Sequence, residues 1–377
     1  MSVDDWRSRI DALDGELLRL LNERARIALK VGESKKEAGA SLCDHTRERE
    51  VVERMCRANE GPLDDRAIVE LYRAIIHESR RIQTLAAQPE HEVRLPEQKS
   101  ESVRVAFQGA HGAFSEEAAV KLLGEDVALI PRPNFESLFN AIDDRAADYI
   151  LSPIENSLAG FVHACYDLLL DSKLYISGEV IIPINHYLIA CPGATLEGIA
   201  TVESHPVALD QCRRFLAANP RIRRIAAEDT AGSVARIVEQ GDPTRAAIAG
   251  KRAAEQYGGV ILSEHLEDSS ENYTRFLLLT PSAEFPEGAD KVSLVIELPH
   301  QPGALHNALE PFARRGIDLL KIQGRPVKGR PWEYCFYLDL RSSPNDVELT
   351  AALNELRERR VETRILGAYR SAVVPAG

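Results

Sequence analysis

No apolar run in this 377-residue chain approaches the roughly 18 residues that a membrane span requires. Its N-terminus, MSVDDWRSRIDALD, is charged from residue 4 and has no apolar signal core, so a cytoplasmic protein is expected. The six cysteines, Cys43, Cys56, Cys165, Cys191, Cys212 and Cys335, contain no C-x-x-C pair, which argues against zinc and against a disulfide framework. Lys and Arg are outnumbered 46 to 58 by Asp and Glu, giving a net charge of −12, so neither nucleic acid nor a membrane is expected as a partner. A small anionic ligand stays open, because it needs only a local group of cations. GAHG at 109–112 lacks the G-x-G-x-x-G spacing of a dinucleotide fingerprint, and neither metal nor cofactor is expected. Proline is missing before Pro62 and phenylalanine before Phe107, so residues 1–88 differ in kind from the rest.

What is present suits a globular chain of two or three domains, 44% apolar and 28% charged. In the first 88 residues Ile10, Leu13, Leu17, Leu21, Ala28 and Val31 follow a helical period over about 35 residues, too long unless other helices pair with it. Shorter helices follow at 44–58 and 65–86. A polar, proline-containing linker at 89–102 leads to residues 103–281. There apolar runs such as VRVAFQ, YILSPI and RAAIAG alternate with helical stretches, the pattern of an α/β fold with a mostly parallel sheet. A second linker, 282–290, precedes residues 291–377. These read strand, helix, strand, strand, helix, strand, a ferredoxin-like α+β sandwich.

The long helix carries cations on its apolar stripe. At ~100° per residue Arg24 and Lys35 lie on the side of Leu17, Ala28 and Val31, about 16 Å apart. Cations there are costly unless an anion meets them, and two long side chains can close around a small dicarboxylate. Asp44, Arg47 and Glu48 in CDHTRERE, with Ser79 and Gln83 one turn apart in HESRRIQTL, complete a polar pocket. Singly, each has an ordinary reading as a snorkelling or ion-paired residue. Arg7 lies ~25 Å from Arg24 along the same helix, so it reaches such a ligand only from an antiparallel second copy. These motifs resemble the all-helical chorismate mutases, an intertwined dimeric family, and the family's positions match at Arg7, Arg24, Lys35, Asp44, Arg47, Glu48, Ser79 and Gln83. The resemblance implies that Arg24 and the partner's Arg7 hold the two carboxylates of chorismate. It also implies that Lys35 and Gln83 address the ether oxygen, and Glu48 the hydroxyl.

In the middle region, polar clusters stand at the ends of apolar runs: QGAHGAFSEEA, SPIENSLAG, ESHPVALDQC, DTAGSV and ENYTRF. Ligands of open α/β sheets bind beyond strand C-termini, beside helix N-termini, which makes Ser115, Asn156, Ser157 and Thr230 candidate carboxylate donors. His205, alone, reads as a turn residue before Pro206. As a set the motifs resemble prephenate dehydratase across 103–281, a fold of two α/β lobes of the periplasmic-binding type with the site between them. The resemblance assigns Thr274 as the group that protonates the departing hydroxyl, and places Glu155, Asn156 and Gln211 at functional positions. Arg275 is a candidate carboxylate anchor, unless strand alternation turns it away from Thr274. Ala113 and Val207 depart from the family pattern.

Residues 291–370 resemble an ACT domain, a small-ligand sensor. PGALHNAL matches its turn at Gly303, Ala304 and Leu305, where main-chain N–H groups can hold an amino-acid carboxylate. The partner motif reads Gln323-Gly324-Arg325-Pro326, where glutamate and serine are usual at the first two positions. Together the resemblances imply a bifunctional enzyme taking chorismate through prephenate to phenylpyruvate, a homodimer or larger, with L-phenylalanine as inhibitor. Two alternatives remain open in the sequence: an arogenate-preferring dehydratase, and a non-catalytic amino-acid sensor.

Overall fold

The computed structural model describes residues 3–37 and 45–65, scattered positions between 67 and 83, and residues 103–374 apart from Lys328 and Pro331. The chain divides into two compact units, Met1–Glu92 and Val93–Gly377.

In the first unit, helix α1 (Val3–Glu37) runs without a break, as the absence of proline and the 3.6-residue period require. Helix α2 (His45–Arg57) follows, and the described residues between 65 and 83 are largely helical. Contacts join Arg24 to Ser79 and Ala28 to Gln83, so the third stretch runs in the same direction as α1. Much of the apolar stripe is open in this chain: Ile10, Leu13, Leu17 and Val31 are 46–59% exposed, while Ala28 is half-buried against Gln83.

The second unit holds two sheets. Its strands are β1 (Arg104–Gln108), β2 (Ala128–Arg132), β3 (Tyr149–Asn156), β4 (Gly160–Phe161), β5 (Tyr175–Pro183) and β6 (Tyr187–Ala190). Then come β7 (Thr201–Ser204), β8 (Arg223–Ala226), β9 (Arg245–Ala249), β10 (Val260–Ser263) and β11 (Tyr273–Thr280). The last four are β12 (Lys291–Leu298), β13 (Asp318–Pro326), β14 (Tyr334–Arg341) and β15 (Glu362–Tyr369). The smaller sheet runs β10-β6-β9-β7-β8 and the larger β13-β14-β12-β15-β5-β11-β3-β1-β2, with β4 beside β3.

Two sequence expectations change here. The sheets of the dehydratase-like region are mixed, not mostly parallel: β11 runs antiparallel to both β3 and β5, and β6 to β9 and β10. The cause is the double crossing of the chain, through 184–186 into the small sheet and back through 264–272, which returns β11 against its neighbours. The ferredoxin-like module, read as separate beyond a linker, instead extends the larger sheet through β15 and β5. Gly367 makes this possible, since a Cβ there would lie 2.1 Å from the Ile176 carbonyl oxygen. Within the module the order β13-β14-β12-β15 is the ferredoxin-like one.

Apolar residues close the layers between sheets and helices. Leu138, Ile150, Ile154 and Leu169 are fully buried in a core of the large sheet, Leu188, Val202 and Ile248 in one of the small sheet, and Phe107 packs with Ile189, Val234 and Ala247 in a core shared by both. These rigid strands set the position of the polar residues at their ends. No helix among the described residues is long and apolar enough to cross a membrane.

Candidate active site

Four side chains with amides or a hydroxyl meet where the chain crosses between the two sheets. Thr274 and Asn156 are cross-strand partners on β11 and β3, and Asn156 Nδ2 donates to Thr274 Oγ1 at 2.9 Å. The same amide nitrogen donates to Asn272 Oδ1 at 2.8 Å and lies 3.1 Å from the Tyr273 carbonyl oxygen. Gln211, at the end of the small-sheet helix Pro206–Gln211, directs Nε2 to Asn156 Oδ1 at 3.5 Å and takes the Asn272 Nδ2–H at 3.0 Å. His186 completes the group, its Nε2 2.8 Å from Gln211 Oε1.

The surroundings explain why these groups hold still. Asn272 and His186 are 1% exposed and Thr274 9%. The two crossings are bonded to each other, Ile184 N–H to the Asn272 carbonyl at 2.7 Å and Leu266 N–H to the His186 carbonyl at 2.9 Å. Ser157 braces the segment: its hydroxyl donates to the Glu271 carbonyl at 2.7 Å and accepts the Tyr273 N–H at 2.9 Å. Burial pushes the His186 imidazole below its usual pKa, against opposing effects of Gln211 and Glu267, so the ring is neutral. Asn156 Nδ2 has only hydrogens to offer, so Thr274 Oγ1 must accept from it. No described residue accepts the Thr274 hydroxyl hydrogen, which is left for a ligand. The arrangement can present one oriented O–H donor beside fixed amide dipoles, the device that helps a poor leaving group depart.

Among the described residues no group of His, Cys, Asp and Glu could hold a metal ion.

Comparisons with known proteins identify the family. Residues 6–84 match the family described as chorismate mutase type II, 105–284 prephenate dehydratase, and 292–358 the ACT domain. A bifunctional chorismate mutase/prephenate dehydratase of Aquifex aeolicus is 34% identical over 377 residues, covering 99% of both chains. The chain belongs to the bifunctional chorismate mutase/prephenate dehydratases. It is therefore an enzyme of phenylalanine biosynthesis, with an all-helical mutase domain, a two-lobed α/β dehydratase domain and an α+β ACT domain. An arogenate dehydratase/prephenate dehydratase of Arabidopsis thaliana is 41% identical over 283 residues, 71% of this chain and 72% of that one. The crystal structure of an Arthrobacter aurescens prephenate dehydratase in complex with L-Phe superposes with a TM-score of 0.65. It is 34% identical and covers 72% of this chain and 93% of its own.

Of the expected dehydratase residues, the structure brings together Asn156, Gln211 and Thr274. It does not bring Glu155 or Arg275 to them. Successive strand residues face opposite sides, so both point to the far face of the sheet, toward the ACT module. There Arg275 donates to Glu179 at 2.6 Å, to Asp339 at 2.7 Å and to the Tyr369 hydroxyl at 2.9 Å. Glu155 takes Lys321 at 2.6 Å, and Lys291 bonds Glu179. Three cations thus balance three anions in a largely buried network. Burial opposes the Arg275 charge, yet Tyr369, Glu179 and Asp339 hold its pKa well above the usual range. Burial raises Asp339 while Arg275 and Ser293 pull it down further, leaving it ionised. Arg275 is accordingly committed to the module and is not a free carboxylate anchor. Losing one partner of such a network typically costs ~3–5 kcal/mol, because the others stay buried unpaired.

Ser157 is likewise spent on the main chain. Ser115 is buried in the first turn of the helix Phe114–Leu123. Thr230 begins the helix Thr230–Gln240, but the Asp229 carboxylate already caps it by accepting the Gly232 N–H. His205 is a turn residue, accepting the Val207 N–H at 3.2 Å as helix cap.

In the mutase unit, Arg24 donates to the Ser79 hydroxyl and Gln83 to the Ala28 carbonyl, so those three expected residues converge. Arg47 is exposed and bonds Glu50 at 3.2 Å, while Arg7 is exposed beside Asp4. Asp44 and the side chains of Lys35 and Glu48 lie outside the described residues. In the ACT module, Gly303 adopts a left-handed φ of 78° directly before the helix Ala304–Arg314, leaving Ala304 and Leu305 in its first turn. Gln323 folds onto the Gly324 carbonyl at 3.0 Å, and exposed Pro326 ends β13. Arg325 pairs with the exposed Asp167 of the dehydratase, its Nη2 2.8 and 2.7 Å from the two carboxylate oxygens.

Sequence reading missed His186 and Asn272 as site members, and Lys321, Asp339 and Tyr369 as the network. A signal existed for two of these: Lys321 and Asp339 are charges in the middle of apolar strands, where an unpaired charge would be costly.

Proposed function

We propose that dehydration runs through Thr274. Prephenate loses its ring carboxylate as CO2; that bonding pair moves into the ring, which becomes aromatic as the carbon–oxygen bond breaks. The hydroxyl leaves as water and takes one proton, so a donor at that oxygen is required. Thr274 supplies the hydrogen bond and, being a weak acid, relays a proton that solvent water replaces. Asn156 orients it, and Gln211 and Asn272 hold Asn156. The observation that carries this reading is the Thr274 hydroxyl, which accepts from Asn156 and has no acceptor of its own among the described residues. The Arabidopsis relative's name supports a second reading, in which arogenate serves as substrate. Turnover of prephenate and arogenate, measured side by side, tests the choice.

For the mutase, Arg24, Ser79 and Gln83 converge, and Lys35, Asp44, Glu48 and the exposed Arg47 are assigned to the same pocket. Claisen rearrangement needs no nucleophile; fixed donors stabilise charge developing at the ether oxygen. The open stripe on α1, with Leu13 59% and Leu17 55% exposed, supports a second copy of this chain as the missing cover. That copy delivers Arg7. Mixing Arg7→Ala and Arg24→Ala chains restores part of the mutase activity, because one site of the heterodimer keeps both arginines. Verified heterodimers without activity would refute the shared site.

L-phenylalanine is the effector of the ACT module, held mainly by main-chain N–H groups near Gly303, Ala304 and Leu305. Gln323 and Gly324 supply neither carboxylate nor hydroxyl, and an effector shifts an equilibrium only by its differential affinity. Phenylalanine therefore inhibits the dehydratase, but less strongly than it inhibits a Gln323→Glu, Gly324→Ser double variant. Titration with phenylalanine while following phenylpyruvate checks this; equal inhibition contradicts it.

A further inference from the structure

The polarity of the amide cluster is fixed from one end. Asn156 Oδ1 accepts the main-chain N–H groups of Leu158 and Ala159 at 3.0 and 2.7 Å, and such donors can face only an oxygen. Its Nδ2 therefore faces Asn272 Oδ1 and Thr274 Oγ1. Gln211 must turn Nε2 toward Asn156 Oδ1, which leaves its Oε1 for Asn272 Nδ2 and His186 Nε2. His186 consequently carries its hydrogen on Nε2. Its Nδ1 is then a bare acceptor, buried and without a partner among the described residues.

A histidine kept only for packing would be a poor choice here, because the orphaned nitrogen costs folding energy that an apolar side chain would not. What the ring supplies is one donor at one place. Gln211 is the member contributed by the small sheet, and its bond to Asn156 is the longest of the group at 3.5 Å. His186 stands on the first crossing, held by Glu267 Oε2 on its main-chain N–H at 2.7 Å and by the edge of Phe114. It thus anchors the weakest tie.

We propose that His186 is a positioning residue for dehydration: its Nε2–H pins Gln211, so the amide chain presents Asn156 Nδ2–H to Thr274 and leaves the threonine hydrogen for the departing hydroxyl. The proposal rests on the reading of Thr274 given above. His186 touches neither substrate nor reacting atoms; it acts through Gln211 and Asn156.

The test uses the full chain with prephenate as substrate. His186→Leu removes the donor, and kcat falls by up to roughly 10²-fold, the penalty of a misplaced catalytic group, with KM changed little. His186→Gln keeps an N–H near the Nε2 position and retains kcat within about threefold of the parent. Thermal unfolding of the same preparations serves as the folding control, because the mutase belongs to the other compact unit. Equal losses in the two variants, or a loss carried in KM alone, would overturn the proposal. If the leucine variant does not fold, nitrogen NMR of the labelled parent decides it: an Nε2–H tautomer supports the assignment and an Nδ1–H tautomer overturns it. A Thr274→Val control separates the two failures. Near-normal turnover there removes the Thr274 reading and this proposal together. A low value there, with leucine and glutamine variants alike, removes His186 alone.

Discussion

Thr274→Val lowers prephenate turnover by roughly 10²–10⁴, the usual contribution of a positioned acid, and leaves KM nearly unchanged. Valine keeps the shape of threonine and its preference for strand, so β11 and its partners β3 and β5 persist. What disappears is the hydroxyl between Asn156 and the leaving group. Asn156 Nδ2 still has Asn272 Oδ1 and the Tyr273 carbonyl oxygen within reach, so no buried donor is orphaned. The loss is therefore chemical rather than structural. Steady-state kinetics with prephenate checks it, with thermal unfolding as control. A variant within a fewfold of the parent would return Thr274 to an ordinary strand residue.

Lys35→Ala abolishes chorismate rearrangement and spares dehydration of supplied prephenate. Removing one preorganised donor aimed at developing negative charge typically costs ~3–4 kcal/mol, or about 10²–10³ in rate. Lys35 lies on α1 three residues beyond Gly32 and within the same compact unit as Arg24, Ser79 and Gln83, whereas Thr274 belongs to the other unit. The two activities thus separate by mutation. Parallel assays on the purified variant, with chorismate and with prephenate, measure this. Joint loss in a folded protein would contradict the assignment.

Much of the fold could be read from local pattern. The helical period of α1 and the βαββαβ order of residues 291–370 are short-range signals, and the elements form where those signals lie. Arg275, a candidate anchor in the sequence, is turned away from Thr274 by the alternation of β11, the reservation attached to it there. The partners of Arg275 were not legible, because Asp339 and Tyr369 come from another module, 64 and 94 residues away in the chain. His186 escaped notice for a related reason. A single histidine between apolar strands carries no signal until the crossings place it beside Gln211, 25 residues on, and Gln211 beside Asn272, a further 61. The mixed sheets and the β15–β5 pairing likewise depend on where the chain crosses, which periodicity does not encode. Ser157 and Asp229 show the opposite error: helix starts and loop hydroxyls that suit an anion can be occupied by the protein's own groups.

The central claim is that one chain performs both reactions, with Thr274 serving the second. The most direct measurement supplies chorismate alone to the purified protein and follows prephenate and phenylpyruvate, in the parent and in Thr274→Val. The account predicts that the parent carries chorismate through to phenylpyruvate, while the variant stops at accumulating prephenate. Phenylpyruvate formed at the same rate by both proteins, or by neither even from supplied prephenate, would contradict it.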